Sequence, residues 1–418
     1  MTPKMTTLSA THLDIEQYSI DRSKPVLVTG GTGYLAGVLI KELLHRGLTV
    51  HTTVRDISNK SKYQYLQDLA ATVAAINTKT AAAGGGDGSN KGNGTINFFQ
   101  ANLLEKGSFK HAMEGCSVVF HTASPFKFDF VDPQTELIEP AIFGTENVLN
   151  QANETPTVTR VVLTSSSLAV HGDACESGAT THASTSTRND NGTKTAAKYL
   201  TEESWNRTAS LTHQQYALSK TLAEQRAWII AGSQTQWKLV VMNPGFLLGP
   251  GLRYHESSES NQFIKRLGSN DPTMIAGCPN LGFSTIDVRD AAIAHVRGGF
   301  LPDNAVNGRY LLNNNPDGYT MPQLGKLLGE VYTPKGYPIV TKASPLPKLI
   351  FWLLGPYIKK GLTRKWIWNN INHVPHLDNT KCMKQLGMEY EKLTPMQDTL
   401  CDMYQLLINE GIVTSNRK

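Results

Sequence analysis

The stretch PVLVTGGTGYLAGVLIKELLHRG, residues 25–47, constrains this chain more than any other. An apolar, β-branched run enters a glycine turn, and the turn opens directly into a helical pattern. Leu35, Leu39 and Leu43 fall on one helix face with Ala36, Ile40 and Leu44 beside them, and Gly47 is placed to cap the C-terminus. Gly30 permits the tight bend, Gly33 lets backbone N–H groups approach a pyrophosphate, and Ala36 fills the third small position. Partial positive charge at the helix N-terminus favours an anion there, so strand, turn and helix in this order predict a dinucleotide site.

The same alternation continues. TVHTTV (49–54), INFFQA (96–101), SVVFHTA (117–123), TRVVLTSSS (159–167) and WKLVVMNPGFLLGP (237–250) read as strands separated by helical segments. Near-continuous apolar strands need cover on both faces, which predicts an α/β fold: a Rossmann-type doubly wound parallel sheet. Beyond about residue 315 the alternation gives way to helices, which predicts a smaller, mainly helical C-terminal part that binds substrate. The expected division is an N-terminal extension (1–24), a dinucleotide-binding domain (25–245) and a cap (246–418), with 283–312 returning to the first domain. Residues 77–94 and 176–197 are small, polar and nearly free of large apolar side chains, and they read as surface-loop insertions. The second lies between TSSS and Tyr216, where a lid over the site is the alternative.

Several function classes are disfavoured. The net charge of +5 is spread along the chain apart from KKGLTRK at 359–365, without the aromatic-interleaved basic stripe of a nucleic-acid binder. Five scattered cysteines with no Cys-x-x-Cys spacing predict neither a disulfide framework nor a zinc site, and His373 and His376 lack companion ligands. The N-terminus has no signal-peptide core, and the apolar run LIFWLLGPYI is far short of the ~20 residues of a spanning helix. A cytoplasmic protein acting on a small molecule, without metal, is the expectation.

Two further clusters carry chemistry. At the end of the second strand stands Arg55, which suits a cofactor 2′-phosphate, with Lys60 or Lys62 to assist; this favours NADP, while the adjacent Asp56 leaves NAD as the alternative. In HQQYALSKTLAEQ (213–225), Tyr216 and Lys220 lie one turn apart on one helix face. Tyrosine ordinarily titrates near ~10, and a neighbouring ammonium is expected to lower that value. TSSS, at the carboxyl end of a parallel strand, supplies hydroxyls to orient a carbonyl.

VTGGTGYLAG, TVRD, GCSVVFHTASP, VVLTSSS, YALSKTLAEQ, NPGFLLGPGL and STIDVRDAAIAH, in order from about residue 25 to 310, together resemble the extended short-chain dehydrogenase/reductase family. This family belongs to the epimerase/dehydratase superfamily, and the nearest branch is that of dihydroflavonol and cinnamoyl-CoA reductases. The resemblance implies a catalytic trio of Ser166, Tyr216 and Lys220. It implies a cofactor held by Gly30, Gly31, Thr32, Gly33, Tyr34 and Leu35, by Arg55 and Lys62, and by Asn102 and Leu103 at the adenine. Thr122, Ala123, Ser124 and Thr164 would line it further on, and Pro244, Gly245 and Phe246 would cover the nicotinamide face. The segment HQQYALSK departs from the cinnamoyl-CoA reductase signature, and His171 stands where dihydroflavonol reductases carry a substrate-binding asparagine.

The expected activity is NADP-dependent reduction of a carbonyl, or oxidation of a secondary alcohol, on a partly apolar molecule. A sterol or 3β-hydroxysteroid dehydrogenase, an epimerase or dehydratase retaining NAD, and a non-catalytic cofactor sensor are the alternatives. Family members often pair as homodimers through the Tyr–Lys helix. The tryptophan-bearing stretch 344–370 reads as a cap lining a lipophilic pocket, as core, or as a peripheral contact with an anionic membrane.

Overall fold

The computed structural model describes residues 20–82, 93–125, 130–177, 187–188, 194–195, 199–269, 271, 277–358 and 362–415. Seven strands form the central sheet: β1 (Val26–Val28), β2 (Thr49–Val54), β3 (Thr95–Gln100), β4 (Val118–His121), β5 (Arg160–Thr164), β6 (Lys238–Pro244) and β7 (Gly308–Leu312). Their order is β3-β2-β1-β4-β5-β6-β7, and every pairing is parallel. The chain order reverses between β1 and β4, and the crevice above that point is where such sheets bind ligands.

Strand periodicity explains the unbroken apolar runs. Val26, Val28, Phe120, Val162, Val240 and Met242 enter one core, while Leu27, Val119, Val161, Leu163, Leu239 and Val241 enter another on the opposite face. Helices α1 (Tyr34–His45), α2 (Gln64–Ala82), α3 (Glu139–Asn153), α4 (Gln215–Gly232) and α5 (Val288–Phe300) cover the two faces, α1, α2 and α5 on the first and α3 and α4 on the second. In α1 the side chains of Leu39, Ile40, Leu43 and Leu44 are fully buried. Each contributes about 2 kcal/mol, more than the ~1 kcal/mol that Gly37 costs the helix. Gly47 ends α1 at φ +76° with its N–H on the Leu44 carbonyl, a left-handed turn that suits glycine.

After β6 the strand Phe246–Leu248 pairs in parallel with Thr285–Asp287 as a separate two-stranded sheet, and Gly308–Leu312 forms the edge strand β7 of the central one. The C-terminal part is helical, with α6 (Met321–Tyr332), α7 (Lys348–Ile358), α8 (Arg364–Asn370) and α9 (Met396–Asn409). It has its own core, built from Leu267, Leu324, Leu328, Met403, Tyr404 and Leu407.

The first insertion departs from expectation. Helix α2 continues to Ala82, so 77–82 is helical rather than loop; alanine's intrinsic helix propensity extends the segment although it has little to bury. Residues 83–92 lie outside the described residues, as does most of 176–197. Of the latter, Glu176 and Ser177 close a short turn, and Thr187–Arg188 pairs with Lys194–Thr195. The extension 1–24 is described only from residue 20.

Candidate active site

The crevice is built from the carboxyl ends of β1, β4, β5 and β6. At β1, Gly30 sits at φ +69°, and a Cβ there would lie 3.0 Å from that of Ala123. At Gly31 a Cβ would lie 2.1 Å from the Thr52 hydroxyl oxygen, so the turn lies close on β2 only because this position has no side chain. Three bonds hold the β1 and β4 loops together: the Thr122 hydroxyl donates to the Thr29 carbonyl (2.6 Å), the Ala123 N–H to the Thr29 hydroxyl (3.0 Å), and that hydroxyl meets His121 Nδ1 (2.9 Å).

Helix α1 begins at the turn with Gly33 as its N-cap and neither a capping side chain nor an acidic residue in its first turn. The first N–H groups of a helix have no intrahelical partner, so Tyr34 and Leu35 offer them at the crevice. Their side chains are used elsewhere. Leu35 is buried in the core, and the Tyr34 hydroxyl donates to the Gly249 carbonyl.

An open cleft lies over the ends of β4 and β5, lined by Leu103, His121, Ser124, Thr164, Ser165 and Lys220 among others. Lys220 is 9% exposed. Burial brings it down to about 8, against the opposing charge of Glu224. Burial, reinforced by the Lys220 charge, lowers His121 to about 3, so this imidazole is neutral.

Glu224, fully buried one turn after Lys220, accepts from Ser165 Oγ (2.5 Å), Asn243 Nδ2 (2.7 Å) and Arg309 Nε (2.5 Å). It thereby ties α4 to β5, β6 and β7. Ser165 is committed to that carboxylate, Ser167 is buried, and Ser166 is the partly exposed serine of TSSS, its Oγ accepting from the Leu168 N–H (3.2 Å).

On α4 the Lys220 ammonium stands 5.9 Å from the centre of the Tyr216 ring, so the two share the expected face. The titration differs from expectation. Desolvation pushes the Tyr216 phenol up to about 12 instead of lowering it. Burial penalises both charged forms, and a lysine whose own charge is disfavoured does not by itself make the phenol acidic.

The other sequence-derived positions are spread around this centre. Arg55 and Lys62 are exposed beyond β2. Asp56 turns its carboxylate onto its own loop, accepting from the Ser58 N–H (2.9 Å) and hydroxyl (2.6 Å). Asn102 Oδ1 accepts from the Leu104 N–H (3.1 Å), and Thr164 Oγ1 meets His295 Nε2 (2.8 Å), so both side chains already have protein partners. Gly245 has no room for a Cβ, which would lie 2.5 Å from the Ser284 carbonyl oxygen. Phe246 follows it and packs with Phe263 and Phe283, all three partly exposed. His171 is buried, its Nδ1 against the Gly172 carbonyl (3.2 Å).

Asp173 was not signalled by the sequence. It is 1% exposed and accepts from His213 Nε2 (3.0 Å), Gln214 Nε2 (2.5 Å), Asn369 Nδ2 (2.7 Å) and Asn370 Nδ2 (2.8 Å). Gln214 is the N-cap of α4 and has a left-handed backbone at φ +56°, a conformation that costs a non-glycine residue about 1–2 kcal/mol. One carboxylate therefore fixes the entrance to the Tyr216 helix and fastens it to α8.

Parallel strands in this order, a glycine-rich turn at the reversal point and an uncapped helix define a Rossmann-type dinucleotide-binding protein. Comparison with known proteins narrows the class. Residues 28–269 match the NAD-binding family model described as male sterility protein. A cinnamoyl-CoA reductase of Medicago truncatula is 33% identical over 311 residues, 73% of this chain and 80% of that one. Tetraketide alpha-pyrone reductase 1 of Arabidopsis thaliana is 30% identical over 400 residues, 95% and 99% of the two chains. Among solved structures, vestitone reductase from alfalfa superposes with a TM-score of 0.63 at 23% identity, over 93% of this chain and all of that one. The chain belongs to the extended short-chain dehydrogenase/reductase family, in its dihydroflavonol reductase and cinnamoyl-CoA reductase-like branch, and is an oxidoreductase.

Proposed function

We propose that this protein reduces a carbonyl group on a partly apolar small molecule, using Ser166, Tyr216 and Lys220. The cofactor fits two features of the chain. The α1 N-terminus presents uncapped N–H groups, and Lys220, nine-tenths buried, donates no hydrogen bond to another described residue. In this reading Gly30–Leu35 cradle the pyrophosphate through backbone N–H groups. Arg55 and Lys62 meet the 2′-phosphate, a role favoured by the inward turn of Asp56, and Lys220 bonds the ribose nearest the reacting carbon. When bound, the reduced nicotinamide supplies a hydride to the carbonyl carbon.

The chain's own work is positioning and proton transfer. Ser166 Oγ donates to the carbonyl oxygen and orients it. Tyr216, kept protonated by its surroundings, donates its proton to that oxygen as it becomes an alkoxide, a base stronger than phenolate. The protonated Lys220 stabilises the phenolate left behind. The aromatic group Phe246, Phe263 and Phe283, next to the strand end carrying Pro244 and Gly245, supports an apolar substrate face. The observation that carries the proposal is the Tyr216–Lys220 pair on one face of α4, with Lys220 lining the cleft at the end of β5.

Tyr216→Phe tests it. Loss of a general acid costs about 10²–10⁴ in turnover, so NADPH consumption over a panel of ketones, aldehydes and thioesters falls by that factor while the Kd for NADPH, read by fluorescence, stays within about twofold. A variant keeping more than about a tenth of wild-type turnover ends the assignment.

A further inference from the structure

The hairpin of α7 and α8 exposes an apolar surface that the proposed chemistry does not use. Leu349 (57% exposed), Leu353 (47%), Leu354 (53%) and Tyr357 (81%) lie along one side of α7, with Leu346 just ahead of it and Trp368 (57%) on α8. Positions 349, 353 and 357 are one helical turn apart and face together. The opposite side is closed: Gly355 is packed so near α8 that a Cβ there would lie 2.4 Å from Ile367 Cδ1, and Ile367 is 1% exposed. The exposed leucines are therefore not a displaced core.

Charge indicates what covers them. Residues 341–377 contain no Asp or Glu, while the same stretch carries six Lys and Arg, more than the net +5 of the entire chain. Arg364 and Lys365 are exposed on α8. Lys348 lies 4.8 Å from the Trp368 ring and Arg364 lies 5.1 Å from the Trp352 ring, so the cations run along the edge of the apolar face. A second copy of the chain is a poor occupant, because a twofold interface sets this patch against itself, cation against cation with no carboxylate between them. Apolar residues inward and cations at the rim are what an anionic bilayer accepts. Among the described residues no helix is long and apolar enough to cross a membrane.

We propose that the α7–α8 hairpin docks the protein peripherally on an anionic lipid surface. Leucines and Tyr357 enter the acyl boundary, and Lys348, Arg364 and Lys365 contact the headgroups. Asn369 and Asn370, at the end of α8, bond the same Asp173 that holds Gln214, so docking sets the α4 entrance beside the lipid.

Co-sedimentation of the full chain with vesicles tests this, comparing phosphatidylcholine alone with phosphatidylcholine containing about 30 mol% phosphatidylserine. Binding is expected to the second and to vanish in about 0.5 M salt. Each basic residue at an anionic surface is worth about fivefold, so Arg364→Glu with Lys365→Glu lowers binding at least ~20-fold. Leu353→Ser with Leu354→Ser lowers it at least tenfold, and both pairs keep wild-type NADPH turnover in solution. Equal binding to both vesicle types, no binding at all, or retention by either variant pair overturns the proposal. So does a lipid-free dimer in sedimentation velocity that Leu353→Ser with Leu354→Ser dissolves.

Discussion

Lys220→Met separates what this residue does for chemistry from what it does for folding. The lysine is nearly buried, and burial brings it from 10.5 down to about 8. One pH unit of displacement corresponds to about 1.4 kcal/mol, so housing the ammonium destabilises the folded protein by about 3 kcal/mol at neutral pH. Methionine occupies similar space with nothing to desolvate. The variant is therefore expected to be more stable than wild type while losing turnover.

The sign follows from proton linkage. Between about 8 and 10.5 the unfolded lysine holds a proton that the folded one has released, so wild-type stability rises with pH across that window. The advantage of methionine is full below pH 8 and shrinks above it, to about 1.5 kcal/mol at pH 9.5. Urea unfolding of the cofactor-free proteins, followed by tryptophan fluorescence at several pH values, reads this directly. A variant no more stable than wild type at neutral pH, or a gap that does not narrow above pH 8, refutes the reasoning.

Arg55→Ala should raise the Kd for NADPH about 10–100-fold and leave that for NADH unchanged, since charge-assisted bonds contribute about 1.5–3 kcal/mol; titration with both cofactors checks it. Asp173→Asn leaves one oxygen where two accept from four side chains, and is expected to cost about 3–5 kcal/mol in urea unfolding and to lower turnover through the loosened Gln214 cap. Burial raises the Asp173 carboxyl, but bonds from Asn369, Asn370 and His213 outweigh it and hold it below 3.8. Stability from this carboxylate is thus present above about pH 4 and lost as pH falls through its folded value, which acid unfolding of the two proteins compares.

Where a local pattern decides structure, the sequence was readable. β2 occupies the TVHTTV run from end to end, the six residues read along α1 are all buried, together with Gly37 and Val38, and Gly47 ends that helix. Tyr216 and Lys220 share a face because a spacing of four residues is only slightly more than one helical turn. The boundary of α2 was misplaced because a small, polar composition signals a lack of core contacts, whereas alanine propensity alone can extend a helix.

The glycine turn, the strand-helix alternation and the Tyr–Lys spacing determined the fold and the family, because each is a short-range pattern written in neighbouring residues. Tertiary structure decided the electrostatics. Burial raises Tyr216 and lowers Lys220, Glu224 receives donors from positions 165, 243 and 309, and Asp173 gathers side chains from positions 213, 214, 369 and 370. Desolvation and long-range hydrogen bonding depend on what the folded chain brings together, and no spacing along the sequence encodes them.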